Sequence, residues 1–197
     1  MIHYLEPDRP ARMAEVTTYR MDVSGLTDEL DRQPELWNEY TERTKAYADG
    51  PHAAIDDIWV RYNARANLDP SNPVPFFCGE HDSSWYPAYA KLPALRPIIF
   101  GLMALVEGER LGGVLITRIP PGHRVGPHKD EGWHARYYRK FAVQVRGGPD
   151  QYFCFQGESL VAEAGEVYEF DNSQEHWVVN DSERERITLI VCIRTGD

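Results

Sequence analysis

Covalent staples are scarce in this sequence. The three cysteines, Cys78, Cys154 and Cys192, are odd in number, far apart and never spaced as CxxC. That argues against a disulfide framework and a zinc knuckle, and leaves isolated reduced thiols in strands as the expectation. Long apolar runs are also missing: none approaches the roughly 20 residues that cross a bilayer. The opening "MIHYLEPDRPARMAEV" lacks the basic-then-apolar layout of a secretory signal. A soluble, cytoplasmic protein with no membrane partner is expected. Basic charge is in deficit, with 21 Lys and Arg against 31 Asp and Glu. A phosphate backbone is therefore repelled on average, and nucleic acid is a poor candidate partner. Internal repeats and low-complexity segments are absent too. What is present is 197 residues, 42% of them hydrophobic, enough to bury the core of one domain spanning 1–197.

The texture changes near residue 110. Residues 1–110 form a mostly helical and loop flank. After Thr27, the stretch "DELDRQPELWNEYTERTKAYADG" places Leu36, Trp37, Tyr40 and Tyr47 at helical spacing. Pro34 sits in an early turn and Gly50-Pro51 stops the run, so one amphipathic helix is expected. "LPALRPIIFGLMALVEGE" is apolar on most sides and reads as a helix packed on a sheet. "DIWVRYN" alternates as a strand does, and "LDPSNPVPFFCGEHDSSWYP" reads as a long loop suited to covering a site. Residues 111–197 break into short strands: "GGVLITRIP", "KFAVQVRG", "QYFCFQG", "SLVAEA", "EVYEFDN", "HWVVND" and "RITLIVCIR". Closely spaced strands without crossover helices predict a mainly β protein, a jelly roll with flanking helices.

The chemistry concentrates in "GPHKDEGW", residues 126–133. His128 and Asp130 are two residues apart, and in extended chain both side chains share a face. They can grip one ion together. His176, at the start of a later strand, supplies the third donor. Two histidines and a carboxylate cover three positions of an octahedral ion and leave three open, the ligand pattern of non-haem Fe(II) oxygenases. Those vacancies serve a chelating cosubstrate and O2. Ten residues after His176 comes Arg186, which alternates with Thr188, Ile190 and Cys192 on one face of the last strand. A guanidinium pointing into a barrel needs a carboxylate partner, and the distal carboxylate of 2-oxoglutarate meets that need in bidentate fashion.

The segment from Thr117 to Arg194, roughly two fifths of the chain, resembles the Fe(II)/2-oxoglutarate-dependent dioxygenases. Within them it is similar to the aspartyl/asparaginyl β-hydroxylase branch, through "PGHRVGPHKD", "AGEVYEFDNSQEHWVVNDS" and "RITLIV". The resemblance implies a double-stranded β-helix, a cupin-like core, with His128, Asp130 and His176 as metal ligands. It further implies Arg186 on 2-oxoglutarate, assisted by Thr188 and by Thr117, the hydroxyl residue eleven positions before His128. An Arg-x-His follows the metal loop in that branch. "RKF" aligns with it, so the resemblance makes Arg139 a further cosubstrate-binding candidate, while Phe141 replaces the histidine. Asp130 is a departure from the best-known β-hydroxylases, which lack the carboxylate ligand. The implied reaction is hydroxylation of an unactivated C–H bond with release of succinate and CO2, assayed with ascorbate. Its substrate would be an amino-acid side chain, free, in a small metabolite or in a peptide.

His123, Glu131 and His134 lie near the metal loop, but more protein ligands would close the open positions, so they read as surface or supporting groups. Trp133, Arg136, Tyr137 and Tyr138 are read as core or pocket wall, Trp177 as packing, and Trp85, Tyr86 and Tyr89 as part of a covering segment. Two other readings stay open at this level: a non-catalytic cupin-like module that binds a carboxylate or metal, and a metal-dependent cupin enzyme that does not use 2-oxoglutarate. The N-terminal helices also leave room for a homodimer.

Overall fold

The computed structural model describes residues 13–16, 20–45 and 49–196. In chain order the elements are β1 (Met13–Glu15), α1 (Ser24–Arg32), α2 (Glu42–Lys45), β2 (Asp56–Asn63), α3 (Val74–Cys78), β3 (Ser83–Trp85), α4 (Ala88–Lys91) and α5 (Leu95–Leu105). There follow β4 (Gly108–Ile119), β5 (Arg124–His128), α6 (Gly132–Tyr137), β6 (Arg139–Arg146), β7 (Gln151–Phe155), β8 (Glu158–Leu160), β9 (Val167–Phe170), β10 (His176–Asn180) and β11 (Arg186–Thr195).

The single long helix expected after Thr27 is broken. The helix starts earlier, at Ser24, whose backbone N–H is held by the Asp22 carboxylate at 2.9 Å. It ends at Arg32 because Pro34 has no N–H to continue the ladder and instead opens a 3-10 turn over Pro34–Leu36. Asn38 then adopts φ 60°, which turns the chain before α2. Tyr47, part of the same expected helix, lies outside the described residues. The apolar helix and the "DIWVRYN" strand appear as α5 and β2. The Pro-rich loop is interrupted by α3 and β3. A strand the sequence reading did not separate, β5, carries His128.

The strands form two antiparallel sheets. One runs β1-β9-β6-β11-β4-β2-β3 and the other β5-β10-β7-β8. Strand alternation sorts side chains to the two faces of the larger sheet. On β11, Ile187, Leu189, Val191 and Ile193 join Phe141, Val143 and Val145 of β6 beneath Leu95, Ile98, Ile99 and Leu102 of α5. The opposite face looks into the space between the sheets. There Ile119, Ala142, Tyr168 and Phe170 meet Phe153, Phe155, Val125 and Val178 of the smaller sheet. This is the jelly-roll core with flanking helices. The three cysteines are free.

Candidate metal centre and its two chambers

The turn before β5 shows what Pro121-Gly122 does. His123 donates its backbone N–H to the Pro120 carbonyl at 3.1 Å, and Gly122 takes φ +71°, the left-handed position of a type II turn with proline before it. The turn reverses the chain so that β5 pairs antiparallel with β10, in a register that sets His128 directly opposite His176. Their rings are 4.4 Å apart. Nδ1 of His128 meets the Gly126 carbonyl and Nδ1 of His176 the Gln174 carbonyl, each at 2.9 Å. A carbonyl can only accept, so the Nδ1 atoms carry the protons and both Nε2 lone pairs are free. Asp130 follows β5, its backbone N–H held at 2.9 Å by the carbonyl of Asn172 in the turn before β10. Its Oδ1 lies 3.7 Å from His128 Nε2. One donor atom from each of the three residues falls within 4.8 Å of the others.

Electrostatics keep the three in metal-binding form. Burial lowers the His176 pKa to about 4 and depresses that of His128, so both imidazoles are neutral at pH 7. Burial would raise Asp130, but the Lys140 ammonium, by its charge and its hydrogen bond, outweighs it and holds the carboxyl well below the usual range. Lys140 Nζ donates to Asp130 Oδ2 in a short contact, leaving Oδ1 on the histidine side. Two neutral imidazoles and one carboxylate oxygen are a donor set for a divalent transition metal approached from one side.

Two chambers meet at these residues. The outer one, about 370 Å³, is walled by Trp59, Tyr62 and Phe77 and reaches His128 and Asp130. The deep one, about 70 Å³, runs from His128, Asp130 and His176 to Arg186. Arg186, Thr188 and Ile190 line it, so the inward parity of β11 is as expected. Arg186 is 4% exposed, donating from Nη1 to Thr188 Oγ1 at 2.6 Å and from Nη2 to Tyr168 Oη at 3.0 Å. Thr188 Oγ1 in turn donates to Gln144 Oε1 at 3.3 Å. No carboxylate among the described residues pairs with Arg186. Thr117 lines both chambers, its hydroxyl 3.4 Å from the Thr188 carbonyl.

Arg139 is a correction. Its guanidinium grips Glu169 and Thr195 on the outside of the larger sheet and lines neither chamber. Phe141, on the same parity, packs under the helices. The residue of "RKF" that points inward is Lys140. The neighbours of the metal loop also sort out. His123 is exposed, with Nδ1 on the Pro121 carbonyl, and Glu131 is exposed at the rim of the outer chamber. His134 is neither surface nor support for the donors: it is buried, stacks on His81 and accepts the Gly113 N–H at Nε2, at 3.0 Å. Trp133, Tyr137 and Tyr138 pack on one another. Tyr86 is buried and Trp85 stacks on Tyr89, none of them reaching a chamber. The cover comes instead from Phe77 and Cys78 of α3 and from Pro51 and His52.

His134 makes a testable contribution to stability. Burial lowers its pKa to about 3, so the folded chain resists a proton that the unfolded chain accepts below about pH 6.5. Its stabilisation is complete above that pH and is lost as pH falls towards 3, at up to about 1.4 kcal/mol per pH unit. His134→Gln keeps an acceptor for Gly113 and does not titrate. Urea denaturation from pH 7 to 4 should therefore show a shallower loss for the variant than for the wild type, and parallel curves would refute the assignment.

Sequence reading missed Arg43, His52 and Lys140. Arg43 is held by Asp57 through Nε and Nη2 and lines both chambers. The His52 ring sits 4.7 Å from that of His128, edge to face, and burial holds it neutral. A signal existed only for Lys140, a cation amid an apolar strand. Arg43 and His52 are ordinary in their local sequence, and only the tertiary fold carries them to the site.

A double-stranded β-helix with two histidines and a carboxylate at one end of its interior is the architecture this chain presents. The sequence pattern of the aspartyl/asparaginyl beta-hydroxylase family matches residues 26–195, and the chain belongs to that family. It is thereby an enzyme of the oxygenase kind, a hydroxylase. A search of curated proteins gives no match. Among solved structures the chain is similar to an oxidoreductase of the 2OG-Fe(II) oxygenase family from Burkholderia pseudomallei. The TM-score is 0.60 at 14% identity, over 93% of this chain and 85% of that one. Shorter likenesses include a predicted oxalate decarboxylase from Thermotoga maritima, at TM-score 0.35 and 24% identity over 43% of this chain and 67% of that one. Another is a cupin domain from Bordetella pertussis, at TM-score 0.35 and 22% identity over 44% and 85% of the two chains. No helix among the described residues is long and apolar enough to cross a membrane.

Proposed function

We propose that the protein is an iron(II)- and 2-oxoglutarate-dependent hydroxylase of an unactivated C–H bond. Its substrate class is an amino-acid side chain, free, in a small metabolite or in a peptide. His128, Asp130 and His176 hold the metal, and Arg186 holds the distal carboxylate of 2-oxoglutarate. Tyr168 and Thr188 orient the guanidinium, and Thr117 lies along the cosubstrate's path. When bound, the iron with 2-oxoglutarate and O2 supplies the oxidation: one oxygen atom goes to the substrate, the other to succinate, and CO2 is released. The chain's own part is to keep two imidazoles neutral and one carboxylate ionised, to screen the centre from water, and to present the C–H bond from the outer chamber.

The observation that carries this reading is Arg186. A guanidinium buried to 4% exposure with no carboxylate partner among the described residues, at the far end of a chamber whose near end gathers three metal donors, fits a dicarboxylate between them. The fold likeness to a 2OG-Fe(II) oxygenase family protein supports it. The test is succinate formation from 2-oxoglutarate by purified protein with Fe(II) and ascorbate, followed by mass spectrometry. Turnover that depends on all three components is expected. If no 2-oxoglutarate is bound or consumed, the non-catalytic cupin-like alternative takes its place.

A further inference from the structure

The outer chamber carries a charge imbalance that bears on what it accepts, an inference that rests on the iron and 2-oxoglutarate reading. Three cations, Arg43, Lys140 and Arg186, and two carboxylates, Asp57 and Asp130, stand mostly buried around the chambers. Arg43 pairs with Asp57 and Lys140 with Asp130, so among the described residues one positive charge has no balancing carboxylate. A ferrous ion and a 2-oxoglutarate dianion cancel one another, so loading the site leaves the same excess. Its place changes, however. The cosubstrate's distal carboxylate answers Arg186, and Asp130 is shared with the metal, so the cation left short of a partner is Lys140. Next to it, Asp57 occupies Nε and Nη2 of Arg43, and Nη1 has no hydrogen bond among the described residues. Both side chains face the outer chamber as well as the deep one. The remaining charges there, Lys129 and Glu131, are exposed at the rim and offset each other.

The chamber's size and walls limit the rest of the ligand. About 370 Å³ lies near the lower end of small-molecule pockets. Its cover, α3, is set hard against the start of α6: a Cβ on Gly132, which has φ +90°, would come 2.7 Å from Cys78 Cα. Inside, Trp59, Tyr62, Phe77, Leu115 and Ile190 offer rings and aliphatic carbon. A charge left desolvated in such a place is costly unless an opposite charge meets it.

We propose that the outer chamber takes a compact monoanion, a small molecule with one carboxylate directed at Lys140 and Arg43 and an apolar body packed on Trp59 and Phe77. A polypeptide segment is not its occupant. The test is calorimetric titration of the full chain, loaded with Fe(II) and 2-oxoglutarate without oxygen, using three acids each paired with its amide: 3-phenylpropanoate, 4-methylpentanoate and indole-3-acetate. At least one acid should bind 10-fold or more tightly than its amide, a difference of about 1.4 kcal/mol. Lys140→Met should erase that preference and Lys140→Arg restore part of it, while 2-oxoglutarate affinity changes less than the acid's. The double change Arg43→Gln with Asp57→Asn, which removes both members of the pair and strands neither charge, should weaken the acid as well. No acid binding, equal binding of acid and amide, tighter binding of an Asp- or Asn-containing hexapeptide, or a Lys140→Met loss confined to 2-oxoglutarate would each overturn the proposal while the cosubstrate reading stands. A wild type that binds no 2-oxoglutarate would overturn both.

Discussion

His176→Leu is expected to abolish high-affinity metal binding and leave the chain folded. The side chain is 4% exposed among Phe153, Phe155 and Phe170, surroundings that accept an apolar replacement of similar volume. Burial already keeps the ring neutral, with a pKa of about 4, so no charge is lost from the core. The one bond forfeited, Nδ1 to the Gln174 carbonyl, contributes about 1 kcal/mol. The loss of a donor is far larger for the metal. Removing a group that merely orients a ligand costs about 10- to 100-fold in affinity, so removing the ligand itself should exceed 100-fold. Titration with Mn(II) or Co(II) reads the affinity and circular dichroism the fold. A variant that binds metal as the wild type does would remove His176 from the centre.

Arg186→Met is expected to move two quantities in opposite directions. Affinity for 2-oxoglutarate should fall by about 3–4 kcal/mol, roughly 100- to 1000-fold, because a desolvated bidentate partner is lost. The protein without cosubstrate should melt no lower than the wild type, because the change deletes a buried cation that has no carboxylate partner among the described residues. Arg186→Lys keeps the charge but not the planar fork, and should fall between the two in affinity. Equilibrium binding of 2-oxoglutarate to the metal-loaded protein and thermal melts in its absence give both readouts. An arginine of purely structural importance would show the reverse, a lower melting temperature with unchanged affinity.

Parts of this site are legible in residue order, for a definable reason. A strand alternates its side chains with a period of two, so once "RITLIVCIR" is read as a strand, Arg186, Thr188, Ile190 and Cys192 must share a face. The apolar partners Ile187, Leu189 and Val191 then choose which face is which by joining the helix-side core. The same rule suggested one face for His128 and Asp130, although Asp130 falls just past β5 and is set by its N–H on the Asn172 carbonyl. The rule fails for "RKFAVQVR", because alternation by itself is silent on whether Arg139 and Phe141 or Lys140 and Ala142 look inward. Phe141 decides it by packing under the helices, which turns Lys140 towards Asp130 and leaves Arg139 to Glu169. Helical periodicity was likewise a weaker guide than the local chemistry of Pro34, which ends α1 whatever the pattern of apolar residues around it.

By itself, then, the order of residues pointed to the jelly-roll class through its run of short strands, to His128, Asp130 and His176 as metal-donor candidates through their motifs, and to the inward face of Arg186 through spacing along a strand. Only the tertiary structure decided what stands around them. Arg43 and His52 come from the helical flank, and Lys140 from a strand whose facing depends on the core beneath it. Their meeting depends on non-local packing, which sets distances between side chains that lie far apart in sequence, and that information is carried by the whole core rather than by any one segment.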